Sequence, residues 1–191
     1  TAYIEVYVSD DLKTGVSVTQ EGKPAEGAPV EVTDVLTRAT TGVTKNSTSY
    51  SEWSGKTSNS EAVYAGQSAG GNDAIQLRTT NNNSGVVTTT SGGKVKKIKC
   101  QSATSSGRTL GIYGKNTAYT AATDLYNTST QGTKLGSIKY GTSTELEISG
   151  DYEYIGLRSA SGAMYLTQIE ITWETSGSGG DVTPDPTPDP E

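Results

Sequence analysis

Aromatic side chains carry the clearest chemical signal in this sequence, because it contains eleven tyrosines and two tryptophans but no phenylalanine. Flat rings cover the apolar faces of sugars, and the Tyr hydroxyl or Trp N–H adds a polar handle. Tyr50 and Trp53 lie in a Gly/Ser-rich stretch with little periodicity, which favours exposure. We therefore predict a ligand-binding set of these two residues with Tyr64, Arg78, Tyr113, Tyr119 and Tyr126. The alternative is that Tyr replaces Phe in the core and on the sheets, and that Arg78 pairs with an acid.

Catalytic chemistry has little support. The absence of histidine excludes His-based triads, imidazole metal ligands and an imidazole proton shuttle. Two acid pairs, Glu145/Glu147 and Asp151/Glu153, have the residue types of a glycoside hydrolase. Residues two apart on a strand share one face, however, so these acids are expected on a solvated surface. We predict no catalytic residues and no enzymatic activity.

Two loops could supply the oxygen ligands that Ca²⁺ prefers, Gly70–Asp73 and Asn81–Ser84. Neither has EF-hand spacing, and Asn and Asp are also the residues that tight turns select. We therefore predict no cofactor, with a structural calcium ion as the alternative. Cys100 is expected as a small buried residue, and Lys94, Lys96, Lys97 and Lys99 as a solvated strand surface, with an anionic-ligand patch as the alternative.

Charge and hydropathy limit the partners of the 191-residue chain, whose net charge is −6. The acidity lies in the two ends, with −3 in residues 1–29 and −4 in residues 176–191, while residues 30–175 carry +1. Without a basic surface, nucleic acid is not an expected partner. No apolar run approaches the ~18 residues of a membrane span. Because residue 1 is Thr and no signal peptide is recognisable, we expect a processed protein or an excised piece.

Proline and glycine predict the domain organisation. Residues 1–22 alternate as a β-hairpin, 23–29 form a linker, 30–175 form one β-sandwich domain, and 176–191 form a Gly/Ser and Thr-Pro-Asp-Pro linker expected to be disordered. A lone hairpin is marginally stable, so we expect it to pair with another domain or chain. Proline is absent from 31–183, as a continuous folded unit would require.

Period-2 alternation within residues 30–175 predicts about nine short strands joined by Gly, Ser and Asn turns. Ile169, Ile171 and Trp173 share one face and are expected in the core, while strict alternation places Val95 opposite Ile98. Short helical turns are expected at 34–39 and 118–126. The fold class predicted is all-β, an antiparallel β-sandwich.

Two stretches resemble known families. Residues 3–6 with 16–22 resemble the closing strands of a BACON-type immunoglobulin-like domain, which implies that residues 1–22 are the end of such a domain. About 140 residues resemble a jelly-roll-like accessory domain of secreted and surface proteins of gut bacteria, on these landmarks: 34–38, 50–53, 62–66, 75–78, 91–94, 107–110, 112–114, 154–159, 161–163 and 169–173. The resemblance implies a non-catalytic module of an exported protein and no particular ligand.

The sequence thus favours a carbohydrate-binding or adhesive module with a glycan or cell-surface ligand, located outside the cell or at its surface. One alternative is a structural spacer, or a subunit of an extracellular or virion-like assembly. Another is an accessory domain that serves a nuclease or hydrolase elsewhere on the parent chain.

Overall fold

The computed structural model describes residues 27–80, 83–103 and 107–177. The predicted hairpin at 1–22 and the Pro-rich tail lie outside these residues. Eleven strands occur in the described part: β1 (Gly27–Leu36), β2 (Ser51–Lys56), β3 (Val63–Ser68), β4 (Ile75–Arg78), β5 (Gly85–Thr90), β6 (Lys94–Ser102), β7 (Thr109–Lys115), β8 (Thr133–Lys139), β9 (Glu145–Glu147), β10 (Tyr154–Ser159) and β11 (Ala163–Gly177). A helix α1 (Arg38–Thr41) and two 3₁₀ turns, Gly71–Asp73 and Ala122–Tyr126, complete the elements. None of these helices is long and apolar enough to cross a membrane.

The strands form two antiparallel sheets packed as a sandwich, which confirms the predicted fold class. The first sheet has the order β1-β11-β6-β9, and β4 pairs with the same edge of β11 as β1. The second sheet has the order β2-β3-β5-β10-β7-β8. The neighbours β4-β11-β6-β9 and β5-β10-β7-β8 give jelly-roll connectivity, to which β1, β2 and β3 are added. Residues Pro29–Ser176 form one compact unit.

The core between the sheets is made of Ile, Leu and Val with a few large rings. Trp173 and Tyr64 are fully buried, and Ile169 and Ile171 share the inward face of β11 with Trp173, as predicted. Both rings direct their polar atoms at Asp34, which is fully buried on β1. The core therefore contains a hydrogen-bonded carboxylate as well as apolar packing.

Within the described residues, Asp34 is held by five hydrogen bonds and by no cation. Its Oδ1 accepts from the backbone N–H groups of Asn59 (2.7 Å) and Ser60 (2.6 Å). Its Oδ2 accepts from the Ser60 hydroxyl, the Tyr64 hydroxyl (2.7 Å) and the Trp173 indole N–H (3.1 Å). Buried polar groups need such partners. This network ties β1, the loop before β3, β3 and β11 to one carboxylate.

Three local features differ from the sequence prediction. Residue 34 lies within β1, so the first helical turn is confined to Arg38–Thr41, where the Thr37 side chain caps it. Strands β1, β2 and β8 were not predicted. Val95 and Ile98 both point inward, because the register shifts between Lys97 and Val95 and leaves Lys96 as the extra residue of a β-bulge.

A strap, residues 116–131, covers the outer face of the second sheet. Its Leu125 and Tyr119 pack against Val87 and Ala65 in a small cluster separate from the main core. A Cβ on Gly156 would contact Leu125 and would lie 3.1 Å from the Tyr119 ring. Glycine on the sheet therefore makes the room that the strap occupies.

Candidate functional site

The described surface has a cleft of about 220 Å³ beside the strap, which we call the β2–β3 cleft. It lies between the outer face of strands β2 and β3 and the strap. Its lining consists of Glu52, Trp53, Ser54, Ala65, Gly66, Gln67, Asn83, Thr120, Ala121, Ala122 and Thr123. Its volume is below the roughly 300–1,000 Å³ of sites for drug-sized ligands, so it suits a small unit such as one sugar ring.

Sheet register places the polar groups of the cleft. Glu52 stands directly opposite Gln67 in the β2–β3 pair, and Trp53 stands opposite Gly66. Because side chains alternate along a strand, Glu52 and Gln67 face outward into the cleft while the Trp53 ring faces the other side. Two antiparallel strands that are joined by the loop 57–62 thus present a carboxylate and a carboxamide together.

The strap forms the opposite wall and is fixed at several points. The Asp124 carboxylate accepts hydrogen bonds from the backbone N–H (2.7 Å) and hydroxyl (3.0 Å) of Thr120. The Tyr119 hydroxyl donates to the carbonyl of Gln131 at 2.7 Å, and Arg158 donates to the carbonyl of Leu125 at 2.8 Å. The wall is thus held in place before any ligand arrives, which lowers the entropic cost of binding.

The cleft offers hydrogen-bond acceptors. The carboxamide oxygen of Gln67 is buried and has no hydrogen-bond partner within the described residues. Glu52 is exposed, and in the described ranges no Lys or Arg lines the cleft. Ser54 and Thr123 add exposed hydroxyls. This arrangement can bind a ligand rich in O–H or N–H donors. One carboxylate alone does not provide the acid pair of a glycoside hydrolase.

Trp53 and Tyr64, two of the predicted binding residues, are interior residues. Trp53 lines the cleft but is only 8% exposed, and its indole N–H donates to the buried Ser68 hydroxyl at 3.1 Å. Tyr64 is fully buried, and burial together with the neighbouring Asp34 carboxylate raises the pKa of its hydroxyl. Neither ring is available as an open platform for a sugar.

Tyr113, Tyr119 and Tyr126 gather beneath and within the strap. Tyr113 and Tyr119 are buried, and Tyr126 is half-buried with its hydroxyl donating to the Ser84 carbonyl at 2.7 Å. The Arg158 guanidinium lies 5.3 Å from the Tyr113 ring centre and 4.8 Å from that of Tyr126, within cation–π range. These rings hold the strap on the sheet and do not line the cleft.

Tyr50 and Arg78 lie away from the cleft lining. The Tyr50 hydroxyl is buried without a partner among the described residues, and burial raises its pKa to about 12, with the Arg78 charge opposing part of that rise. Arg78 is exposed at the end of β4, and its backbone N–H is bonded to the Ser84 hydroxyl. The predicted set is therefore dispersed, and of its seven members Trp53 alone borders the cleft.

In the loop Gly70–Asp73, the Asp73 carboxylate pairs with side-chain cations of the protein, which is not the arrangement of a calcium ligand. Asp73 pairs with Arg38 through one oxygen and with Lys45 through the other (2.8 Å). Hydrogen bonds from these two cations hold the pKa of the Asp73 carboxyl below its usual range. In the described ranges, no three acids, Cys or His gather as a metal site would need. Residues 81 and 82 of the second candidate loop lie outside the described residues.

The β6 lysines face acidic partners on the outer face of the first sheet. Four ion pairs occur there: Lys94–Asp151 (3.0 Å), Lys96–Glu174 (3.2 Å), Lys97–Glu147 (2.8 Å) and Lys99–Glu170 (3.6 Å). Their charge is matched, which disfavours an anionic-ligand patch. Cys100 points inward from the same strand and is buried, as predicted, and burial raises the pKa of its thiol to about 12.

Sequence reasoning missed the polar residues of the cleft. Glu52 is adjacent to Trp53 and alternates with it, which was the available signal for an outward-facing acid on a strand. Gln67 precedes the Gly-rich loop Gly70–Asp73 and lies in β3, where no apolar alternation marks it as a binding residue. The strap residues 120–123 carry no pattern that connects them to β2.

Comparison of the chain with protein-family models found no match, and comparisons with curated proteins and with solved structures found no significant match.

Proposed function

We propose that this chain is a non-catalytic glycan-binding module of an exported bacterial surface protein, with its ligand in the β2–β3 cleft. One observation carries the proposal: the exposed carboxylate of Glu52 stands opposite Gln67 on one wall of a cleft whose other wall, the strap, is already fixed by its own hydrogen bonds. Adhesion to a glycan-bearing surface is the role that such binding serves.

The size and wall of the cleft support a sugar as the ligand. A sugar presents many hydroxyl donors in a compact ring, and the cleft supplies acceptors on β2 and β3. Ala65, Ala121 and Ala122 add small apolar patches against which C–H groups can pack. Location outside the cell is part of the proposal and rests on the family resemblance of the sequence.

The absence of catalysis is also proposed, from the placement of acids. Glu145 and Glu147 lie on β9 at the exposed outer face of the first sheet, and Glu147 is paired with Lys97 at 2.8 Å. Neither lines the β2–β3 cleft. A hydrolase would need two carboxylates on either side of one bond.

A glycan array probed with the full chain and with Ala121→Tyr tests the proposal. Ala121 is exposed at the rim of the cleft, so a ring there fills the cleft without entering the core. We expect saturable glycan binding that Ala121→Tyr abolishes. The matched control is Ala118→Tyr, at an exposed strap position outside the lining, which should bind like the original chain. Absence of glycan binding, or binding equally retained by Ala121→Tyr, would contradict the proposal.

A spacer or assembly subunit is the second candidate, and one observation favours it. The rings that would form a binding platform, Tyr64, Tyr113 and Tyr119, are buried and serve packing. A module selected for rigidity would show such use of its aromatic residues. The same array separates the two candidates, because a spacer would bind no glycan.

A further inference from the structure

Glu52 brings a negative charge to the β2–β3 cleft, and no positive charge among the described residues balances it. It is exposed, stands opposite Gln67, and makes no ion pair within the described ranges, while four lysines of β6 are each matched by an acid. No cation lines the cleft there either. The charge of Glu52 is therefore free to act on a ligand.

The hydrogen-bond inventory of the cleft points the same way. Glu52 offers two carboxylate oxygens at the cleft, and these accept only. The Thr120 hydroxyl already donates its hydrogen bond to Asp124 at 3.0 Å, within the strap. At Glu52, therefore, the ligand must supply the donors.

On the basis of the glycan-binding function proposed above, we propose that the cleft selects sugars that carry a protonated amino group. The ammonium would donate to the Glu52 carboxylate, which is exposed at the cleft. An ammonium carries a positive charge and three donors, so it can balance the charge of Glu52 and also donate hydrogen bonds to its oxygens. N-acetylation removes the charge, and a sugar carboxylate or sulfate would face Glu52 with the same sign.

Calorimetry with the full chain tests this selectivity on oligomers of one length: glucosamine, N-acetylglucosamine and glucuronic acid. We expect the glucosamine oligomer to bind with a Kd about two- to fivefold lower than its acetylated form, as one solvent-exposed charge pair allows. The preference should shrink as salt is added, because the pair is open to solvent. The glucuronic acid oligomer should bind weakest.

The variant Glu52→Gln should weaken glucosamine binding about two- to fivefold more than it weakens binding of the acetylated oligomer. The matched control is Glu61→Gln, an exposed acid outside the lining, which should keep the preference. Equal or tighter binding of the acetylated or acidic oligomer, or a preference that survives Glu52→Gln, would overturn the inference. If some other glycan then binds and Ala121→Tyr blocks it, the proposed function stands alone; if no glycan binds, both fail.

Discussion

Replacing Asp34 with Asn should remove a large part of the stability of the sandwich. Three of the five donors to this carboxylate are N–H groups, from Asn59, Ser60 and Trp173, and an N–H cannot reverse to accept. In either orientation, the new amide NH₂ meets at least one of them. Hydrogen bonds to a charged group contribute ~1.5–3 kcal/mol each, and breaking a buried charged network costs ~3–5 kcal/mol.

Urea unfolding followed by tryptophan fluorescence measures this loss. With an m-value of about 2 kcal/mol/M, a loss of 3–5 kcal/mol lowers the midpoint by roughly 2 M. The matched control is Asp151→Asn: Asp151 is 78% exposed and pairs with Lys94, so about 1 kcal/mol or less is expected. A midpoint change for Asp34→Asn no larger than that of the control would show that the five bonds do not hold the core together.

Two further outcomes are expected. Gly156→Val should displace the strap, because the new Cβ would clash with Tyr119 and Leu125; we expect a loss of ~1–3 kcal/mol in the free energy of unfolding and faster proteolysis within 116–131. Ser137→Val, at an exposed position of β8, is the control and should change neither quantity. Equal cleavage of both variants would contradict this account of the strap. Burial raises the pKa of Tyr50 to about 12, so its share of folding stability is complete below pH 10 and is lost as the pH rises from 10 towards 12. Phenolate absorbance should show a class of tyrosines titrating well above pH 10 while the protein stays folded, whereas one common transition near 10 would refute it.

The fold could be predicted where one face of a strand is exposed to solvent and the other face is buried. On β11, Ile169, Ile171 and Trp173 alternate with polar residues, so the pattern itself identified the core face. Strand β2 was not predicted, because Trp53 is its only large apolar residue and one such residue gives no periodic signal. Val95 was placed on the wrong face because a bulge adds one residue, and each added residue reverses the alternation.

The candidate site was less predictable for a physical reason. A tyrosine ring suits a ligand platform and a core equally well, provided that its hydroxyl finds a partner inside. Tyr64 finds Asp34 and Tyr119 finds the Gln131 carbonyl, and neither partner is evident from the sequence around the ring. The cleft joins β2, β3 and the strap through packing alone, so Glu52 and Ala121 become neighbours only in the folded chain.

The pairing of β1 with β11 has a mechanical consequence. Thr175 donates to the carbonyl of Val30 at 3.2 Å, and Thr33 and Thr172 are bonded further along, so the chain enters and leaves the sandwich at the same end of two antiparallel strands. Tension applied through the flanking segments would load the β1–β11 bonds one after another, as in unzipping, and never all at once in shear. We expect the first strand to peel away at low force, with the buried carboxylate of Asp34 as the point where extension stalls.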